Sequence, residues 1–229
     1  MAVFDRDFWI QLVVLAAVGL FLLIMLWPTA STGRRLLRKW QVQDPSDAQV
    51  EDAIRYLKRR RLLYPWLYVT IGFVPMNRDD STTQFLVVVL AGTLLAELLA
   101  LRVPREGRRV ASLAPRGLSD IAAKGVLISY PVVILVMAVP LVIWGEWARL
   151  GWLALSVLVV VVIVWAAVAR PAVGDEIVDL ALRTRSVHVS AGLGAGVAGV
   201  LVHGVVGFVG ILAWIALANT KPMPAKTAL

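Results

Sequence analysis

Glu97, His203 and a series of glycines are the residues whose types and spacing could do chemistry in this apolar chain. An ionisable side chain within a long apolar run must find a partner inside the protein, and such groups often mark ion or proton paths. Glu97 is the carboxylate well inside such a run, about one turn from its end, with Thr93 and Ala100 on the same helical face. That face should look into a bundle rather than into lipid. His203 lies in the middle of the last apolar run. Around it, Gly192, Gly196, Gly199, Gly207, Gly210 and Trp214 recur at intervals of three or four, which on a single helix places them all on one side. Glycines at such a face let another helix approach closely. Two readings follow. Glu97 and His203 could form a proton or cation path, or Glu97 could pair with a neighbouring Arg or Lys while His203 hydrogen-bonds across a helix interface.

Catalysis finds little support in the remaining residues. Cysteine is absent, which removes thiol chemistry, thiolate metal sites and disulfides. His188 and His203 are the two histidines, too few for a metal cluster, and neither a His-Glu-x-x-His nor a phosphate-binding Gly-x-x-x-x-Gly-Lys-Ser/Thr pattern occurs. An intramembrane hydrolase would need a serine near His203. Ser129 lacks a Gly-x-Ser-Gly context, and Ser129 and Ser156 lie toward opposite ends of their helices. The sequence therefore points to no metal and no cofactor.

The elements that must position these residues are membrane-spanning helices. Of 229 residues, 59% are hydrophobic and 17% charged, more apolar and less charged than ordinary soluble domains. The apolar residues come in runs of about 20, the length that crosses a bilayer core about 30 Å thick. Five runs qualify: Phe8 to Trp27, Gln84 to Leu101, Gly125 to Trp144, Trp152 to Ala169 and Leu193 to Leu217. The first has acidic and basic residues before it and Arg34, Arg35, Arg38 and Lys39 after it, so it reads as a retained helix rather than a secretory signal. The segment Leu62 to Met76 is short and has a proline near each end. If it crosses, there are six spans with both termini outside, and 18 of 23 basic residues fall on the inner side. If it does not, there are five, and the charge asymmetry nearly vanishes. We take six. Tryptophans agree, with Trp9, Trp144, Trp147, Trp152 and Trp214 near the outer face and Trp27 and Trp165 near the inner one. The net charge of +8 is explained by orientation and by attraction to anionic inner-leaflet lipid, without nucleic acid, for which no motif is present.

One extramembrane element stands out within this single transmembrane domain of residues 1–229. Residues 44–61 read as a cytoplasmic amphipathic helix, with Asp44 as N-cap, Pro45 in the first turn, and Val50, Ala53, Ile54 and Leu57 as an apolar stripe. It could lie on the inner membrane surface or dock a partner. Pro28 to Arg35, Pro104 to Arg109 and Pro171 to Glu176 repeat a proline, a glycine and two charges, which suggests three two-helix hairpins.

The stretches RRVASLAPRGLSD (Arg108 to Asp120) and GDEIVDLALRTRSVH (Gly174 to His188) resemble segments of small, functionally uncharacterised polytopic membrane proteins of high-GC Gram-positive (actinobacterial) bacteria. The resemblance implies a bacterial plasma membrane and carries over no catalytic residue. From the residues themselves we expect an all-α transmembrane bundle acting as a non-catalytic subunit or scaffold among other membrane subunits. A small transporter or channel using Glu97 and His203 is the alternative, and an intramembrane hydrolase a remote one.

Overall fold

The computed structural model describes residues 6–72, 81–102, 109–110, 117–169, 172–173, 175–202 and 204–220. Among these the chain is helical except for one short antiparallel pairing of β1 (Arg109–Val110) with β2 (Ala172–Val173). The helices are α1 (Arg6–Met25), α2 (Ala30–Lys39), α3 (Asp47–Leu62), α4 (Tyr64–Gly72), α5 (Ser81–Arg102), α6 (Leu118–Ile121), α7 (Lys124–Ile143), α8 (Trp147–Ala169), α9 (Glu176–Val202) and α10 (Gly204–Asn219). By length and composition, α5, α7, α8 and α9 could each cross a membrane, and a fifth span is added if α1 is taken with α2, into which it bends by 87°.

Helix α9 is the axis of the molecule, and α5, α7, α8 and α10 pack around it. Its second half alternates glycine, alanine and serine with valine and leucine, so neighbours can approach from every side, and nearly all of it is buried. The outer helices have the opposite design. Ile128, Leu135 and Ile143 of α7 and Leu158, Val161 and Trp165 of α8 point outward and remain exposed, as lipid-facing side chains would. Asp175 starts α9 by accepting hydrogen bonds from the Ile177 and Val178 amides and from Gln49 Nε2.

The expected last span does not form as one helix. The backbone breaks after Val202, Gly204 adopts a φ of 60°, and α10 runs back antiparallel along α9. Glycines permit this close return. A Cβ on Gly199 would stand 2.5 Å from the Gly207 carbonyl oxygen, and one on Gly192 2.9 Å from that of Trp214. The glycine series thus occupies two facing arms of a hairpin rather than one side of a single helix. The return brings the chain back toward the start of α9. Lys39 Nζ donates to Asn219 Oδ1 at 2.8 Å, so the end of α10 lies beside the first basic loop. Trp214 consequently packs against Gly196 within the hairpin instead of marking the outer end of a span.

At the opposite edge α4 runs antiparallel to both α1 and α5. Gly19 admits Pro65, Gly72 admits Leu15, and Gly92 admits the ring of Tyr68. Beneath the bundle, α2 and α3 form a collar. The amphipathic helix begins at Asp47, with Ser46 and Gln49 making a reciprocal capping box, instead of at Asp44, whose φ of 44° is left-handed. Its apolar stripe does not face a membrane surface or a partner. Val50, Ala53, Tyr56 and Leu57 pack with Leu37 and Trp40 against Ala100, Val178, Ala181 and Leu182. Of the proposed repeat, Gly33 serves to bring α2 against Val50 and Ile54 of α3. Pro104, Gly107, Pro171 and Gly174 lie outside the described residues.

Candidate functional site

Among the described residues, the buried charges gather where the collar meets the ends of α5 and α8 and the start of α9. Glu97 is completely buried one turn from the end of α5. Arg60 of α3 approaches it, with Nε 2.9 Å from Oε2, off the line of a hydrogen bond but close enough for an ion pair. Arg185 of α9 places Nη1 3.4 Å from both carboxylate oxygens. Ser186 donates its hydroxyl to Oε1 at 2.7 Å, and Tyr56 donates its phenol to the same atom. Arg185 also donates to the Tyr56 oxygen at 2.9 Å. Three elements are thereby tied at one carboxylate.

Electrostatics keep the collar's contributions in their ordinary protonation states. Burial, reinforced by the neighbouring carboxylate, pushes the Tyr56 phenol up to about 12, so it remains a donor. Burial weakens the charge on Arg60, but Tyr64 and Glu97 more than offset this and raise it on balance. Glu97 therefore carries the negative charge between two guanidinium groups, in a site with a net positive charge.

A second layer lies beside the first. Arg183 is fully buried, ion-paired to Asp179 at 2.6 Å, and donates to the Ala167 carbonyl at 2.8 Å, which fixes the end of α8. His188 accepts the Ala123 amide at Nε2 (3.1 Å), which leaves Nδ1 to donate to the Thr220 carbonyl at 3.1 Å. It is held as the neutral tautomer and joins the start of α7 to the end of α10. Trp40 meets its ring edge-on.

Of the two intramembrane candidates expected from sequence, Glu97 is thus at the centre of the site, and His203 lies outside the described residues. The glycines are brought together at the α9–α10 seam, farther along α9 from this cluster. Sequence reasoning missed Tyr56, Arg60, Arg185, Ser186 and His188 as members. A signal was present: Asp179, Arg183, Arg185, Ser186 and His188 follow closely in a segment that runs on into apolar helix. Such a density of polar groups there requires partners. Among the described residues no three metal-binding side chains converge.

Comparison with protein-family models, curated proteins and solved structures finds no match for this chain.

Proposed function

We propose that the protein is a non-catalytic membrane subunit or scaffold of a larger assembly in a bacterial plasma membrane. The observation that carries this reading is the saturation of Glu97. Both carboxylate oxygens are engaged by side chains from α3 and α9, an arrangement suited to holding helices together rather than passing protons. Co-purification in a mild detergent tests it. A stable membrane partner supports the scaffold, whereas a lone monodisperse protein stabilised by a particular ion would support the transporter reading and refute this one.

For topology we propose that α1, the segment Leu62 to Met76, α5, α7 and α8 cross the membrane, with the amino terminus outside. The antiparallel run of α4 between α1 and α5 supports a crossing there. We further propose that the α9–α10 hairpin enters from the inner side and returns to it. His188 lies level with Ala123, and Gly194 lies level with Tyr130, so α7 and α9 run in parallel register. From His188 to Val202 is about 21 Å of helix, against about 30 Å from Ala123 to Ile143. The hairpin tip then stops short of the outer surface. With the chain leaving α10 on the inner side, Lys221 and Lys226 join the inner charge, and 20 of the 23 basic residues lie there, a stronger asymmetry than six spans give. Anionic inner-leaflet lipid is the partner that charge would attract.

A further inference from the structure

Toward its end α3 carries consecutive basic residues, Lys58, Arg59, Arg60 and Arg61. Arg60 finds a carboxylate in Glu97, but among the described residues Lys58, Arg59 and Arg61 make no ion pair. The negative end of a helix is worth about half a charge, too little to balance them. Arg61 turns inward and has its Nη1 enclosed, whereas Lys58 and Arg59 keep surface toward the outside. Lys58 Nζ stands 5.8 Å from the ring centre of Trp27, which follows the inner end of α1 and is itself about half exposed. An indole beside a lysine is the pairing expected where helices meet lipid headgroups.

The exposed stripe that begins at Lys58 continues into the proposed span. Leu63 keeps helical backbone angles and its carbonyl accepts from the Leu67 amide at 2.9 Å, so the register carries from α3 into α4. Lys58, Leu62 and Trp66 follow at every fourth residue, on one side of the chain. Leu62 is 48% and Trp66 74% exposed, so no described residue covers them. Lys58 is at most about 6 Å of helix from Leu62, where the proposed crossing begins. The headgroup layer on each side of the hydrocarbon is about 5–8 Å thick, which puts lipid phosphate at the level of Lys58 and acyl chain at that of Leu62 and Trp66. We infer that Lys58 and Arg59 hold the phosphate of one anionic inner-leaflet phospholipid, whose acyl chain lies along Leu62 and Trp66. A zwitterionic headgroup fits less well, because it brings its own cation to compete for the phosphate. The inference gives a place to the anionic lipid named above. It rests on the proposed membrane placement but not on the scaffold role.

Native mass spectrometry of the detergent-purified protein, with phosphatidylglycerol and phosphatidylcholine of identical chains added in equal amounts, tests it. The wild type should retain one phosphatidylglycerol in preference to phosphatidylcholine. Lys58→Gln with Arg59→Gln should weaken that retention about thirtyfold, the factor for two basic residues near an anionic surface. Arg35→Gln with Arg38→Gln removes the same charge from exposed positions on α2 and should change it less than about threefold. Both double variants should melt within about 2 °C of the wild type, since they alter surface side chains and keep good helix formers. No preference for phosphatidylglycerol, or equal loss in the two double variants, would overturn the site. Displacement of the lipid by glycerol phosphate would overturn the phospholipid in favour of a soluble phosphate ester. Aqueous labelling of a cysteine at Thr70, one turn beyond Trp66, would instead overturn the membrane placement on which the site rests.

Discussion

The charged cluster makes an asymmetric prediction. Arg60, Arg185 and Glu97 are all buried, and together they carry one excess positive charge. Glu97→Gln preserves the shape of the side chain but leaves two guanidinium groups facing each other with no anion between them. Removing one member of a buried ion pair typically costs about 3–5 kcal/mol, because the remaining charge stays desolvated. In a chain of this size each kcal/mol lowers the melting temperature by about 2–4 °C, so a fall of roughly 6–20 °C is expected. Arg185→Met does the reverse. It removes the surplus cation, leaves Arg60 and Glu97 as a balanced pair, and costs Glu97 two contacts at 3.4 Å and Tyr56 one accepted hydrogen bond at 2.9 Å. Its loss should be less than half that of Glu97→Gln, and the double variant should be more stable than the sum of the two losses implies. Thermal unfolding in detergent, followed by intrinsic tryptophan fluorescence, measures all three. If Glu97→Gln melts within about 2 °C of the wild type, or Arg185→Met proves the more damaging, the carboxylate is not what ties α3 to α5 and α9. Unchanged stability together with a lost cellular phenotype in Glu97→Gln would transfer the residue to the transporter reading.

The remaining predictions concern the hairpin, the histidine and the sidedness of the chain. Gly199→Ala should destabilise by several kcal/mol, about 2–4, because its Cβ meets the backbone of Gly207 and Gly210, whereas Val205→Ala on the exposed side should be nearly silent in the same melt. His188→Phe retains the contact with Trp40 but strands the Ala123 amide and the Thr220 carbonyl, and should cost about 2–4 kcal/mol while accelerating hydrogen exchange at the end of α10. In this cysteine-free chain, a cysteine at Asn219 should resist a membrane-impermeant thiol reagent in intact cells, as should one at Ser46, while one at Asn77 should react. Labelling at Asn219 from outside would restore a single continuous last span. The acid limb of stability should include Asp175. Burial works against its charge, yet the hydrogen bonds from Gln49, Val178 and Ile177 hold its carboxyl below the usual range, so its contribution is present at neutral pH and fades as pH falls through that lowered value. Asp175→Ala should flatten that part of the pH profile.

The sequence by itself determined that the chain is built of helices, that its long runs are apolar all round, and that Glu97 would need a partner, but it did not mark α2 or the first half of α9 as helical. These properties are local. Twenty apolar residues in a row, a capping serine followed by glutamine three positions later, or a lone carboxylate in an apolar run each carry their consequence within one or two helical turns. The collar helix was readable for the same reason, although its start moved from Asp44 to Asp47 once Ser46 and Gln49 formed the reciprocal cap. What only the tertiary structure decided is where partners separated by long stretches of chain would meet. Nothing in the vicinity of Glu97 marks Arg60 or Arg185 as its counter-ions, since they lie 37 and 88 residues away and were two among many basic residues placed by topology alone. The hairpin shows the same limit. A glycine every three or four residues is compatible with one helix presenting a smooth face and with two helices folded face to face, because both bring backbone against backbone. The left-handed turn at Gly204 selects the second, and no periodicity in the flanking residues records that choice.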